Sequence, residues 1–221
     1  MTLTRKDFEN GRFAETVAKG HRMGIFKARP EEEWHRTRAE AIAAFGGGDV
    51  WIFGYGSLMW NPAIEFTEQR LATIHGYHRQ FCLSTPLGRG TPELPGLVLG
   101  LLPGGSCNGI AFRIPAKLVE VELELIWKRE MLGRGYHSKI VPMRTPKGRE
   151  RGLTFVVNRD YERFTGPIPV DDKTYRLAFA EGELGPCREY LFNAVTALEE
   201  MGVHDRYLKR MARLVGERRG E

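Results

Sequence analysis

VWIFGYGSLMW, Val50 to Trp60, is the stretch from which the rest of the chain is best read. Val50, Trp51, Ile52 and Phe53 are β-branched or aromatic and fit a short buried strand. Gly54, Tyr55, Gly56 and Ser57 stop that strand abruptly, and Leu58, Met59 and Trp60 then resume the apolar texture. Glycines at such a place either just let the backbone turn or leave peptide N–H groups uncovered for a ligand. Three familiar glycine motifs fail on spacing. A dinucleotide fingerprint needs a third glycine where Met59 stands, and a P-loop needs a following Gly-Lys-Ser/Thr. A nucleophile elbow needs glycines at the positions held by Tyr55 and Met59.

Working outward, further short β-rich runs follow: 71–84, 96–102, 108–114, 139–143 and 153–157, bounded by Pro, Gly and Asn. PGGSCNG, Pro103 to Gly109, reads as a hairpin connection between two of them. A helix is expected over 116–132, and helices return at 171–180, 186–201 and in the basic terminal segment. Strands and helices do not alternate, which argues against a Rossmann-type sheet. The pattern predicts an α+β fold, a largely antiparallel sheet or partial barrel with helices packed around it. Residues 1–48 hold little β-branched sequence. They contain one clear helix signal, in which Pro30 occupies a first-turn place and Glu31, Glu32 and Glu33 suit the positive end of the helix. Gly46, Gly47 and Gly48 then stop it. The expected organisation is a helical N-terminal extension (1–48), a main domain (49–215) and a short basic tail (216–221).

Hydrophobic residues are 42% of the chain and charged residues 28%, ordinary values for a globular protein. No apolar stretch approaches the ~18 residues that a membrane span needs. The N-terminus lacks the apolar core of a secretory signal. Cys82, Cys107 and Cys187 are odd in number and widely spaced, so neither a disulfide framework nor a zinc site is expected. These features point to a reducing cytoplasm. The formal charge is +5, and much of the excess sits between Arg206 and Gly220. That segment reads as an amphipathic helix with Tyr207, Leu208, Met211 and Leu214 on its apolar side, docked and presenting a solvated basic face. Basic clusters are unspecific, and no nucleic-acid partner is expected.

Turning 116–132 at about 100° per residue groups Val119, Leu123 and Ile126 on one side. Leu118, Val121, Leu125 and Leu132 form a second apolar group. Glu120, Glu122, Glu124, Lys128 and Arg129 fall between or outside these groups. Glu130 does not: it projects between Val119 and Leu123. A carboxylate there either reaches water at a fraying helix end, with Gly133 following, or is buried with a raised pKa and is a candidate proton shuttle. The remaining features invite blander readings. His75 and His78 face opposite sides of a strand. Cys187 is a small buried residue at a helix start, Asp171 and Asp172 look like caps, and Tyr190 belongs to the core or offers its hydroxyl to a cleft.

Taken together, FGYGSLMW (53–60), GYHRQFC with RGTPELPGLVLGL (76–101), WKREM (127–131) with GYH (135–137), and the later TGPIPV and REYLFNAVTAL resemble the ChaC-type, glutathione-specific γ-glutamylcyclotransferases, in family order and over roughly residues 50–215. The resemblance implies a small γ-glutamylcyclotransferase-like α+β fold, a mixed β-barrel or sheet with surrounding helices and a cavity. It implies that Gly54, Tyr55, Gly56, Ser57, Leu58 and Met59 bind the γ-glutamyl group, that Glu130 moves the proton, and that Tyr190 contacts the substrate. The implied activity is glutathione degradation: the γ-glutamyl amine attacks its own γ-carbonyl and releases 5-oxoproline and cysteinylglycine. Such an internal attack needs no enzyme nucleophile, metal or cofactor. Two other readings stay open at this point. One is a cyclotransferase preferring γ-glutamyl amino acids; the other is a non-catalytic module that senses such a ligand. The first residues resemble a longer bacterial form of the family, for which the resemblance gives no chemical role.

Overall fold

All residues of β1 (Val50–Gly54) are buried because the strand is hydrogen-bonded on both edges. In the computed structural model, which describes residues 4–25 and 27–220, it pairs antiparallel with β3 (Gly96–Ile114) and parallel with β5 (Gly148–Val157). The remaining strands, β2 (Glu68–Thr85) and β4 (Tyr136–Thr145), complete a closed barrel in the order β1-β3-β2-β4-β5. The expected partial barrel is thus closed, and its only parallel contact among the described residues is Trp51 to Gly152 and Ile52 to Leu153. Closure buries Ile52, Phe53, Ile74, Leu99, Leu101, Phe112 and Phe155 almost completely. It also leaves β1 no free edge to expose.

The expected hairpin connection at Pro103–Gly109 is not one. These residues lie inside β3, which runs unbroken beside β2 from Glu68↔Arg113 to Thr85↔Gly96. Gly104 (φ +99°) and Gly105 (φ +72°) stand opposite Gly76 (φ +85°), where the register shifts between His75 and Tyr77. The glycines build a β-bulge that bends a long ribbon rather than a turn that ends a strand. The actual connection is 86–95.

A single 3₁₀ turn (Ala116–Leu118) precedes α4 (Val119–Glu130), so the helix starts later and stops sooner than its sequence pattern suggests. Val119, Leu123 and Ile126 are buried as the helical wheel predicts. In the second apolar group Val121 is 53% exposed, while Glu122 is buried, held by Arg5. After β5 come α5 (Val170–Phe179), the tiny strands β6 (Glu181–Gly182) and β7 (Gly185–Pro186), α6 (Cys187–Glu199) and α7 (Arg206–Arg219). Asp171 and Asp172 belong to the first turn of α5, and Pro169 takes the cap position. α7 docks through Leu208, Met211 and Val215. The Asp205 carboxylate caps it by accepting from the Leu208 N–H (3.0 Å), worth about 1 kcal/mol. The same carboxylate lies 3.1 Å from Nε of the buried Arg79.

Before β1 the described residues form three helices, α1 (Arg5–Glu9), α2 (Arg12–Arg22) and α3 (Glu31–Ala43), where the sequence showed one clear helix signal. The first is little more than a turn, and the second starts at a left-handed Gly11 and carries Gly20 in its last turn. α1 carries a capping box, in which the Thr4 backbone N–H donates to the Asp7 carboxylate (2.8 Å), a signal the sequence reading did not use. Pro30 stands at the cap of α3, one place before the first-turn position.

Candidate active site

The end of β1 and the end of α4 meet. Glu130 is the last residue of α4, and its side chain is 14% exposed. It borders a narrow hollow of about 20 Å³ together with Tyr55, Gly56, Ser57, Leu58, Tyr136 and Tyr190. Two larger hollows adjoin this one. The first, about 260 Å³, is shared by Glu130, Arg129 and Tyr136 with Thr85, Gly88, Val98, Tyr161, Arg163 and Leu184. The second, about 150 Å³, lies over Ser57, Trp60, Asn61, Arg89 and Tyr190. Together they approach the scale of small-molecule pockets, roughly 300–1,000 Å³.

Burial pushes the Glu130 carboxyl above the usual carboxylate range. The neighbouring Arg129 guanidinium opposes this by charge and by hydrogen bonding, with Nε 3.0 Å from Glu130 Oε1. Arg129 also ties the helix to the glycine turn: Nη2 donates to Ser57 Oγ (2.7 Å) and Nη1 to the Asn61 carbonyl (2.5 Å). One guanidinium therefore holds the carboxylate and the turn in fixed relation, which suits its planar fork. Sequence reasoning left Arg129 outside the apolar groups and gave it no role. Its position beside Glu130 was the available signal, but only the fold shows that its head turns inward.

Three tyrosines enclose the carboxyl. Tyr55 donates its hydroxyl to the Phe155 carbonyl (2.7 Å) and Tyr136 to the Leu99 carbonyl (2.9 Å). Burial first, then neighbouring charges including Glu130, raise both phenols well above their ordinary range. The Tyr190 hydroxyl is also pushed up by burial and by Glu130, against backbone hydrogen bonds from Leu99 and Ser57. All three therefore stay neutral donors or acceptors at physiological pH.

The glycine turn proves to be a matter of space more than of backbone handedness. Gly56 has φ −130°, and a Cβ there would lie 2.7 Å from the Tyr190 hydroxyl. At Gly54 a Cβ would press on Leu58 (3.0 Å). Among the expected turn residues, Tyr55, Gly56, Ser57 and Leu58 border the hollow with Glu130 and Tyr190. Gly54 sits behind them at the strand end. Met59 faces the other way, toward a separate cavity lined by Phe66, Phe112 and residues of α6. Behind the turn, Arg79 Nη1 donates to the Tyr55 carbonyl (2.7 Å). Cys187, at the start of α6, is fully buried, and burial raises its thiol to about 11. Among the described residues no cluster of His, Cys, Asp or Glu could hold a metal ion.

Known proteins resemble the chain in sequence and in fold. A family model described as ChaC-like protein matches residues 50–218. The chain is 40% identical over 159 residues to the glutathione-specific gamma-glutamylcyclotransferase of Escherichia coli K12, covering 72% of this chain and 69% of that protein. It is 32% identical over 177 residues to the Schizosaccharomyces pombe protein of the same name, covering 70% and 85%. Among solved structures, a yeast gamma-glutamyl cyclotransferase specific to glutathione superposes with a TM-score of 0.71 at 23% identity, over 77% of this chain and 96% of that one, a likeness of fold.

Proposed function

The chain belongs to the ChaC-like protein family, and from that premise we propose that it is an enzyme that degrades glutathione by cyclising the γ-glutamyl group. The observation that carries the reading is a largely enclosed carboxyl, Glu130, with a raised pKa, locked by Arg129 to Ser57 in the turn where Gly56 leaves room beside Tyr190.

The chemistry divides into holding and proton transfer. The γ-glutamyl α-amine must be folded back onto its own γ-carbonyl, and holding two groups in attack geometry can supply much of the barrier reduction. The turn Gly54–Met59 and Tyr190 are the residues we assign to this, with Gly54 and Met59 supporting the turn from behind. The amine is largely protonated at neutral pH, so a base must take its proton. Glu130 is that base: its raised pKa makes it a stronger proton acceptor than an exposed carboxylate. The amine nitrogen forms its bond to the γ-carbonyl carbon, and the bond from that carbon to the cysteine nitrogen breaks. Glu130 returns the proton to the departing nitrogen, the new ring nitrogen gives up its second proton, which the released amine takes up, and 5-oxoproline and cysteinylglycine are left. Charge gathers meanwhile on the carbonyl oxygen, and we assign its stabilisation to peptide N–H groups of the turn. The reaction runs without an enzyme nucleophile, redox carrier or metal because the nucleophile is part of the substrate.

The setting is the cytoplasm, where glutathione is abundant and thiols stay reduced. No helix among the described residues is long and apolar enough to cross a membrane. We assign neither a membrane nor a nucleic acid as partner, since the basic helix α7 spends its apolar side on docking. Substrate choice is tested by offering purified protein glutathione and γ-glutamylalanine side by side and measuring 5-oxoproline by mass spectrometry. Product from glutathione with little from γ-glutamylalanine supports the assignment. The reverse preference makes it a cyclotransferase for γ-glutamyl amino acids, and no product from either leaves a ligand-sensing module.

A further inference from the structure

The segment before β1 grips α4, the helix that ends in Glu130, at three heights. Near its start, Arg5 Nη1 donates to both oxygens of the buried Glu122 (2.9 and 2.8 Å). Further along, the Trp127 indole donates to Thr37 Oγ1 (3.1 Å). At the catalytic end the partner is Arg29, whose side chain is 4% exposed. Its Nε donates to the Met131 carbonyl (3.0 Å), Nη2 donates to the Tyr136 carbonyl (2.9 Å), and Nη1 pairs with Glu33. Its backbone N–H donates to the Leu132 carbonyl (2.7 Å).

These contacts fall where a helix needs them. The last turn of a helix leaves carbonyls without partners inside the helix, and a left-handed glycine commonly closes it. Gly133 follows α4 but does not take the left-handed conformation. Arg29 instead holds the carbonyl of the C-cap residue Met131 and that of Leu132 just beyond the helix, and reaches across to Tyr136, whose ring walls the Glu130 hollow. We propose that Arg29 is a positioning residue for the cyclisation: it closes the end of α4 in place of a glycine cap and so fixes the Glu130 carboxyl in the cavity. The role gives the first 49 residues a part in the chemistry although they lie outside the 50–218 match. It rests on the reading of Glu130 as the proton shuttle.

The charged and titratable groups facing Glu130 are Arg129 on α4, Tyr55 from the turn after β1, Tyr136 on β4 and Tyr190 on α6. Loosening the helix end admits water to the carboxyl. Since burial is what raises it, its titration then falls back toward the ordinary range. Lysine cannot replace the fork, because one ammonium does not reproduce the planar guanidinium's fixed pair of donors.

The test compares Arg29→Ala, Arg29→Lys and Thr37→Val with the unaltered protein. Thr37→Val removes the contact to Trp127 on the same helix without touching the Met131, Leu132 and Tyr136 carbonyls that Arg29 holds, and so reports general destabilisation. Glutathione turnover is measured from pH 5 to 9, with melting temperature alongside. The Glu130 titration is followed by carbon-detected NMR of ¹³C-glutamate-labelled protein, with Glu130→Gln identifying the resonance. Arg29→Ala is expected to lower kcat by about tenfold to a hundredfold, leave KM nearly unchanged and shift the Glu130 midpoint down. Arg29→Lys should recover only part of the loss, and Thr37→Val should lower the melting temperature while keeping kcat. If Arg29→Ala does not fold, Arg29→Lys carries the comparison. Folded Arg29 variants with kcat near wild type, losses that simply track melting temperature, or an unmoved Glu130 midpoint would each overturn the proposal. If the unaltered protein makes no 5-oxoproline, the cyclisation reading fails by itself; the NMR midpoint still decides whether Arg29 fixes Glu130.

Discussion

Glu130 and Arg129 set the electrostatics of the site at the scale of single residues, and their effects have opposite signs. Burial raises the Glu130 carboxyl and Arg129 lowers it. Removing the guanidinium by Arg129→Gln therefore leaves burial unopposed. The acid limb of the kcat/KM profile should move to higher pH, the opposite direction from that expected for Arg29 variants. A limb that stays put or moves down would mean the ion pair has no electrostatic part in catalysis. Stability carries a second signature. A carboxyl whose folded pKa is raised binds its proton more tightly in the folded state, so its ionisation opposes folding. That destabilisation is absent below the unfolded pKa and grows as pH rises through the folded one. Glu130→Gln, which mimics the protonated form, should thus melt above wild type at pH 8, with the gap closing toward pH 4. A gap that is constant with pH would contradict the buried-carboxyl account. The odd placement of Glu130 on an apolar helix side was legible in the sequence. The inward turn of Arg129 was not, because nothing in a helical period says which way a long side chain bends at a helix end.

The element that defines the site is the turn between β1 and the short 3₁₀ helix at Ser57–Met59. Its requirement for glycine is contact with Tyr190 on α6, a residue distant in sequence. Gly56→Ala should therefore lower both glutathione affinity and turnover, and it should cost less stability in a Tyr190→Phe background, where the hydroxyl is gone. Urea unfolding of the four-protein cycle measures this coupling; strictly additive losses would show that the Cβ and the hydroxyl do not compete. The sequence announced a special turn but left open whether it served geometry or a ligand, since that depends on what packs opposite. The β2–β3 ribbon teaches the same lesson in reverse. Pro103, Gly104 and Gly105 carry strong turn chemistry, yet Gly76 across the ribbon lets them form a bulge within a strand. Turn propensity marks a bend; whether the chain reverses there is decided by the partner strand.

Over the whole molecule, packing in and around the closed barrel explains both the buried strands and the burial of the thiols. Cys82, Cys107 and Cys187 are all buried, and burial raises every one of the three, Cys82 to about 12 and Cys187 to about 11. A thiol reagent at neutral pH should label none of them in the folded protein and all of them in denaturant. Rapid labelling of a single cysteine in the native state would contradict the packing around it. The α+β class and the antiparallel character of the sheet were readable from short β-rich runs between turn residues. The parallel β1–β5 contact that closes the barrel was not, because a two-residue pairing leaves no periodic trace. Within the helical extension expected before β1, α1 escaped notice for a related reason: it is too short to show a period. Yet the chain before β1 supplies Arg5, Arg29 and Thr37 to the helix bearing Glu130.

The central claim is that Glu130 carries the proton in an internal cyclisation, and one measurement addresses it directly: the rate of 5-oxoproline formation from glutathione by wild type and Glu130→Gln, followed by mass spectrometry, with glutathione binding to both measured by calorimetry. Glutamine keeps the shape of the side chain and removes its basicity. The account predicts near-normal binding by the variant, with turnover lower by about 10²–10⁴-fold, the usual worth of a positioned acid–base group. Turnover within a few-fold of wild type by a variant that binds glutathione normally would contradict it.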